Sequence, residues 1–217
     1  MRTILDCFKW ILLPAFALVL TSCATVPAPE TPKNETLTWN TRTQTLSNIN
    51  SWDIKALIAI HTSKEAESAT LRWQQNKQNY TIYLFGPLGS NSYTLNGTPS
   101  KVELTSPKGK KFTADSAESL LAQQTGWRLP VTNLKYWVRG LPVPGTAATK
   151  HFDTYHHLTE LNQDGWHVQF LRYTSMHGID LPSKIFLNNT DLSVKIIINQ
   201  WQPLQARSQN SAEQKHD

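Results

Sequence analysis

Apolar and polar residues alternate along most of the chain with a period of two residues. The longest early run is Trp52–His61, and further runs follow about every ten residues with turn-forming residues between them. They cover residues 69–75, 80–85, 93–95, 101–105, 157–161, 166–171, 181–187 and 192–201. A period of two is that of a β-strand, and short strands at this spacing indicate an antiparallel sandwich or barrel.

The first strand carries apolar residues on both of its faces. Trp52, Ile54 and Ile58 lie on one face, while Leu57 and Ala59 lie on the other. A strand that is apolar on both sides is typical of a sheet covered on both sides. The sequence therefore predicts that this strand has no solvent-exposed face.

Helical periodicity interrupts the strands in the middle of the chain. Asp115-Ser-Ala-Glu118 resembles a capping box at the start of one helix, and Gly126 stops it. A second short helix follows Pro130, and a weaker apolar stripe predicts another at Leu37–Ile49. Two helices between two sets of strands indicate a mainly β fold, with an open sheet and helices over its concave side.

The amino terminus has the pattern of an export signal. Arg2 and Lys9 precede an apolar stretch, residues 11–20, that is too short to span a membrane. Leu20-Thr-Ser-Cys23 resembles the lipobox of bacterial lipoproteins, which implies cleavage before Cys23 and its lipidation. Proteins with this motif are held at the inner membrane by an Asp at the next position. Ala24 stands there instead, which implies an outer-membrane protein that faces the periplasm.

These patterns divide the chain into four parts. Residues 1–22 form the signal peptide, and residues 23–36 form a lipidated, proline-containing tether that reaches about 40 Å when extended. Residues 37–202 form one domain of ordinary size, and the polar residues 203–217 are predicted to be a disordered tail.

Composition narrows the set of partners. The net charge of +5 fits attraction to anionic lipid head groups or to an acidic protein, and export of a lipid-anchored chain excludes nucleic acid. The eight tryptophans suit either an apolar surface or cavity or a well-filled core, and the count alone does not separate the two.

The sequence contains no recognisable catalytic constellation. His151, His156 and His157 are close in sequence, but adjacent residues of a strand point to opposite faces, so we interpret them as surface or turn histidines. Only proximity supports a pair formed by Asp153 and Glu160. We therefore predict no metal site, no cofactor and no enzymatic activity.

Two loops have alternative interpretations. Lys108-Gly-Lys-Lys111 is either a solvated hairpin tip or a contact for anionic head groups or an acidic partner. Leu88 lies between Pro87 and Gly89 in a strand connection. It either folds back onto the core, which physical reasoning alone favours, or projects into a bilayer or into a cavity of a partner.

Several segments together resemble the LolB family of outer-membrane lipoprotein receptors. The matching segments come in the order of that family: Trp52 with its strand, Leu71-Arg-Trp-Gln-Gln75, Gly86-Pro-Leu-Gly-Ser90, Phe112-Thr-Ala-Asp-Ser-Ala-Glu118 and Trp137-Val-Arg-Gly-Leu-Pro142. The resemblance implies an incomplete antiparallel β-barrel with a helical lid over an apolar cavity. It also implies a receptor that takes acylated lipoproteins from the periplasmic carrier LolA, without ATP, and inserts them into the inner leaflet of the outer membrane.

The resemblance also assigns residues. It implies that Leu88 protrudes and serves insertion into outer-membrane phospholipid, against the interpretation favoured by physical reasoning alone. For the acyl-chain cavity we predict nine residues: Trp52, Ile54, Ile58, Leu71, Trp73, Tyr83, Phe85, Trp137 and Phe170. We expect a monomer. The competing hypotheses are a lipid-anchored hydrolase, and a structural lipoprotein that assembles envelope machinery and needs no cavity.

Overall fold

The computed structural model describes residues 31–86 and 92–203. The predicted signal peptide, Cys23, Pro87, Leu88, Gly89 and the residues after 203 lie outside the described residues. Within residues 31–86 and 92–203 there are three helices: α1 (Trp39–Ser47), α2 (Ala117–Thr125) and α3 (Val131–Trp137). The strands are β1 (Ser51–Thr62), β2 (Ala66–Asn76), β3 (Asn79–Phe85), β4 (Tyr93–Gly97), β5 (Val102–Thr105), β6 (Lys111–Ala114), β7 (Ala148–Phe152), β8 (Leu158–Gln163), β9 (Trp166–Met176), β10 (Ile179–Asn188) and β11 (Leu192–Pro203).

All these strands belong to one sheet whose pairs are antiparallel. Its order is β6-β5-β4-β3-β2-β1-β11-β10-β9-β8-β7, so the first and last strands of the chain meet at its centre. β1 pairs with β11 from Trp52 opposite Pro203 to Thr62 opposite Leu192. β6 and β7 are the two edges, and the chain between them carries α2 and α3. The prediction of a mainly β fold with an open sheet and a few helices is confirmed.

One face of the sheet forms the core, and we call it the inner face. Ile54, Ile58 and Ile196 on the central strands are buried there, as are Leu120 and Leu134 of the helices. Leu57, on the opposite outer face, is 50% exposed. The prediction that β1 is covered on both sides is therefore wrong, because both lid helices pack on the inner face.

The ends of the helices follow local capping chemistry, with one difference from the sequence prediction. Ser116, not Asp115, is the N-cap of α2, because its hydroxyl accepts a hydrogen bond from the Ser119 amide at 3.1 Å. Gly126 ends this helix with φ +79°, in the left-handed region that glycine adopts without strain. Glu118 does not close a capping box, because its carboxylate accepts a hydrogen bond from the start of α3.

The two edge strands are the elements that the sequence pattern missed. Residues of β6 are exposed or half-buried, and most residues of β7 are exposed. Neither strand has a buried apolar face that would produce a strong alternation. Among the described residues, no helix is long and apolar enough to cross a membrane.

Candidate functional site: an apolar pocket beneath two helices

An apolar pocket lies between the inner face of the sheet and the helices α2 and α3. We call it the inner pocket. Its strand-borne lining is Ile54, Ile58, Leu71, Trp73, Ile82, Leu84, Tyr93, Leu95, Leu104 and Ile196. The helices and their connections add Leu121, Leu129, Val131, Leu134 and Val138. The indole nitrogen of Trp73 donates to the Gln75 side chain at 3.0 Å, so this N–H group has its hydrogen-bond partner within the protein.

The inner pocket is almost closed in this structure. The space that a water-sized molecule can occupy is about 30 Å³. Such a volume holds about one or two waters, and an apolar cavity of this kind stays dry. A site that encloses a drug-sized ligand has roughly 300–1,000 Å³. A large apolar ligand therefore enters only if the helices move away from the sheet.

The structure distributes the nine predicted cavity residues over three places. Ile54, Ile58, Leu71 and Trp73 line the inner pocket. Trp52, Trp137 and Phe170 are buried elsewhere in the core. Tyr83 and Phe85 lie on the outer face, where their rings stack at 6.1 Å, because they alternate along β3 with the inward-pointing Ile82 and Leu84.

The sequence analysis missed the contribution of the lid to the pocket. Leu121 belongs to the apolar stripe of α2, and Leu134 and Val138 belong to that of α3. Those stripes were visible in the sequence, but a helical stripe does not tell which strands it covers. Ile82 and Leu84 were missed because the facing of β3 was assigned one residue out of phase.

A hydrogen bond joins the two helices of the lid. The Glu118 carboxylate on α2 accepts from the Thr132 amide, in the first turn of α3, at 2.8 Å. An acidic group at this position satisfies a free amide and interacts favourably with the positive end of the helix. The two helices are thereby linked across the turn that contains Gly126.

A buried arginine fastens α1 to the chain that follows α3. Arg139 donates to the carbonyl oxygens of Ile49 at 2.9 Å and Leu46 at 3.3 Å, and its guanidinium lies 5.1 Å from the Trp52 ring and 5.3 Å from the Tyr136 ring. Burial lowers the pKa of Arg139, yet an arginine remains charged at neutral pH. The contacts are carbonyl dipoles and aromatic faces, and within the described residues no carboxylate forms a salt bridge with it.

His157 is not a surface or turn histidine, contrary to the sequence interpretation. It is buried, with Nδ1 at 2.8 Å from the Asp153 carboxylate and Nε2 at 3.0 Å from the buried Asp180 carboxylate. Asp180 also accepts from the backbone amides of Lys33 and Asn34. This cluster attaches the end of the tether to β10. No group of potential metal ligands is found in the described part of the chain.

The fold is similar to that of a known structural class. A putative outer membrane lipoprotein-sorting protein domain from Vibrio parahaemolyticus superposes with a TM-score of 0.51 and 6% identity, over 78% of this chain and 94% of that chain. A LolA superfamily protein from Nitrosomonas europaea does so with a TM-score of 0.51 and 6% identity, over 78% and 95%. The chain thus has the open-sheet fold of the LolA superfamily.

Sequence comparison identifies the family within this class. The family described as outer membrane lipoprotein LolB matches residues 50–201. The outer-membrane lipoprotein LolB of Coxiella burnetii (strain RSA 493) is 39% identical over 188 residues, which cover 86% of this chain and 89% of that protein. LolB of Pseudomonas paraeruginosa is 38% identical over 196 residues, or 89% and 96%. The chain belongs to the LolB family.

Family membership decides between the classes of function left open by the sequence. The chain is an outer-membrane lipoprotein and acts as the receptor of the Lol lipoprotein-localisation pathway. It is a receptor and not an enzyme, which rules out the hydrolase hypothesis.

Proposed function

We propose that the inner pocket receives the acyl chains of lipoprotein cargo from the periplasmic carrier LolA and releases them into the outer membrane. The observation that carries this proposal is the pocket itself, whose lining is apolar on the sheet side and on the lid side. Each methylene that leaves water contributes about 0.8 kcal/mol. Acyl chains therefore favour such a pocket over the aqueous periplasm.

Opening of the lid is the step that this proposal requires. The closed pocket, at about 30 Å³, is too small for an acyl chain. α2 contacts β5 and the edge strand β6, and it contacts α3. The two lid helices can move together as a linked pair because the Glu118–Thr132 hydrogen bond joins them. Closure without cargo also avoids exposure of the pocket lining to water.

A pair of substitutions on α2 tests the acceptance step. Leu121→Trp places a larger side chain in the inner pocket, whereas Gln123→Trp places the same side chain on the exposed surface of the same helix. We expect Leu121→Trp to lower the rate of transfer from loaded carrier at least tenfold, while Gln123→Trp transfers normally. Overpacking costs about 1–3 kcal/mol, so thermal unfolding is measured alongside. Normal acceptance by a folded Leu121→Trp variant would contradict the proposal, because it would show that the inner pocket does not hold the acyl chains.

The delivery step is tested separately at Leu88, which lies outside the described residues. We propose, from the family resemblance, that Leu88 enters the bilayer during insertion. A charged side chain there resists entry into hydrocarbon. We expect Leu88→Glu to accept labelled lipoprotein from the carrier but to fail to pass it to liposomes, whereas Leu88→Met delivers normally. Equal delivery by Leu88→Glu and the natural chain would show that the side chain has no role in insertion.

A further inference from the structure

The outer face of the central strands exposes apolar side chains that the lid does not cover. Leu57 on β1 is 50% exposed, Leu171 on β9 is 53% exposed, and Phe85 at the end of β3 is 36% exposed. Leu57 and Phe85 line one open groove together with Ile197 of β11. Contiguous exposed apolar surface in a folded protein marks a site of interaction.

The strand register shows that these side chains form a row across the sheet. Leu57 lies opposite Ile197 on one side and Thr70 on the other, and Thr70 lies opposite Phe85. Directly opposed residues of antiparallel strands point to the same face. On the other side of Ile197 the row continues to Lys184 of β10, and from there to Arg172 of β9.

Cationic side chains surround the apolar row on the same face. Lys195 lies opposite Ala59, and Lys55 lies opposite Arg72. Arg72 is bound by Asp53 at 2.6 Å, which neutralises that pair. The four remaining cations form no salt bridge within the described ranges 31–86 and 92–203: Lys55, Lys184, Lys195 and Arg172.

This combination fits one type of partner. A purely acidic protein surface would bind the cations but would leave the apolar row without a partner. The surface of an anionic phospholipid bilayer satisfies both, since phosphates bind lysine and arginine while the region just below them accepts apolar side chains. The chain belongs to a family of outer-membrane lipoproteins, so a bilayer lies within reach of this face.

We propose that this surface, the basic–apolar face, docks onto the anionic phospholipid of the membrane that holds the protein. Leu57, Phe85 and Ile197 enter the head-group region, and Lys55, Lys184, Lys195 and Arg172 bind phosphates. The lid and the inner pocket then point away from the bilayer, towards the aqueous side from which cargo arrives. The proposal does not depend on acyl-chain binding, because it concerns the opposite face of the sheet.

Vesicle binding by the whole mature chain carrying Cys23→Ala tests the proposal without an acyl anchor and without cargo. Cosedimentation is measured with vesicles of phosphatidylcholine and with vesicles of equal parts phosphatidylcholine and phosphatidylglycerol. We expect binding to the anionic vesicles, weakened by salt. Each surface lysine near such a membrane contributes about fivefold to affinity, so Lys55→Gln combined with Lys195→Gln should weaken binding about 30-fold. Leu57→Ser should weaken it several-fold.

A matched pair of substitutions controls for total charge. Lys77→Gln combined with Lys150→Gln removes the same charge from exposed positions in the β2–β3 turn and on β7. We expect this control to bind the anionic vesicles within about twofold of the unsubstituted chain, since screening limits distant charges. Equal weakening by both pairs would overturn the proposal, because it would assign the effect to net charge.

Unchanged binding to anionic vesicles by the Lys55→Gln, Lys195→Gln chain would also overturn the proposal. If that chain also received lipoprotein more slowly from the carrier, the basic–apolar face would be assigned to an acidic protein instead.

Discussion

At the scale of single residues, buried polar side chains form hydrogen bonds that hold elements of the fold together. Gln163 is an example: it accepts from the Trp137 indole at 3.1 Å and from the Val143 amide at 2.9 Å, and it donates to the Val143 carbonyl at 2.9 Å. One side chain thereby fixes α3 and the loop that leads to β7. A buried network of this kind stabilises the fold only because its members are paired.

Arg139 allows a quantitative prediction at this scale. Arg139→Met keeps much of the aliphatic stem but removes the guanidinium donor of the Ile49 carbonyl, whereas the Leu46 carbonyl still accepts from the Ile49 amide. An unpaired buried carbonyl costs about 1–3 kcal/mol, so we expect the unfolding free energy to fall by about that amount in urea titrations. Arg128→Met, at an exposed position, should change it by less than about 0.5 kcal/mol. An unchanged unfolding free energy in Arg139→Met would show that the hydrogen bonds of Arg139 do not stabilise the fold.

The pH dependence of stability follows from Asp153. Burial alone raises the pKa of Asp153, but its hydrogen bonds with His157 and Tyr155 and the His157 charge outweigh burial and leave the pKa below its ordinary value. A carboxyl with a lowered folded-state pKa stabilises the fold above its unfolded pKa of about 4, and the contribution is lost as pH falls through the folded value. We expect the difference in unfolding free energy between the natural chain and Asp153→Asn to stay constant between about pH 5 and about pH 7, and to shrink below about pH 4. A difference that persists undiminished at acid pH would contradict this assignment.

At the scale of secondary-structure elements, the lid is a pair of short helices joined through side chains. Neither helix is long enough to be stable alone, so both depend on the apolar face that they bury. The sequence showed these helices and the glycine that separates them. It assigned Glu118 to the cap of its own helix, whereas the folded chain brings the start of α3 within 2.8 Å of that carboxylate. The helices were predictable because their signals are local, and their mutual contact was not.

Glu118 therefore yields a prediction about the lid. Glu118→Ala removes the acceptor of the Thr132 amide, while Glu118→Gln retains an oxygen that can accept it. Loss of a capping acceptor costs about 0.5–2 kcal/mol, so we expect faster hydrogen exchange across α3 in Glu118→Ala. Glu118→Gln should exchange more slowly than Glu118→Ala. Identical exchange in the two variants would show that the bond does not hold the lid together.

At the scale of the whole molecule, the sheet is organised around the pairing of its first and last strands. Trp201 on β11 packs 6.4 Å from Trp52 on β1, and its indole donates to the Pro182 carbonyl at 2.9 Å. The tethered amino-terminal segment is attached to the same sheet through Asp180. β11 is the last strand of the described residues, and the sequence prediction that the domain ends at residue 202 stays a prediction.

A comparison of two changes tests this boundary. A chain that stops after Pro203 lacks the polar tail but keeps all of β11, so we expect its thermal unfolding midpoint to match that of the full mature chain. Trp201→Ala keeps the tail but removes a buried side chain and should cost about 3–5 kcal/mol. A large loss of stability on removal of the tail would show that residues 204–217 belong to the folded domain.

The sequence by itself determined the strands with one strongly buried face, the helix end marked by Gly126, and the family. These signals are local, since alternation and capping depend on neighbouring residues. The tertiary structure decided which face of each strand is inside. A one-residue error in the facing of a strand moves every side chain to the opposite face of the sheet. In β3 this error placed Tyr83 and Phe85 in the predicted cavity, whereas Ile82 and Leu84 point inward.

The tertiary structure also decided what surrounds each buried or exposed group. His157 is buried beside two carboxylates: the nearby Asp153 approaches Nδ1, and Asp180, which is 23 residues away in sequence, approaches Nε2. Leu57 is exposed because the lid covers only the inner face of an open sheet. Periodicity records that a position is apolar, but only the packing of distant elements decides whether that position is core, pocket or surface.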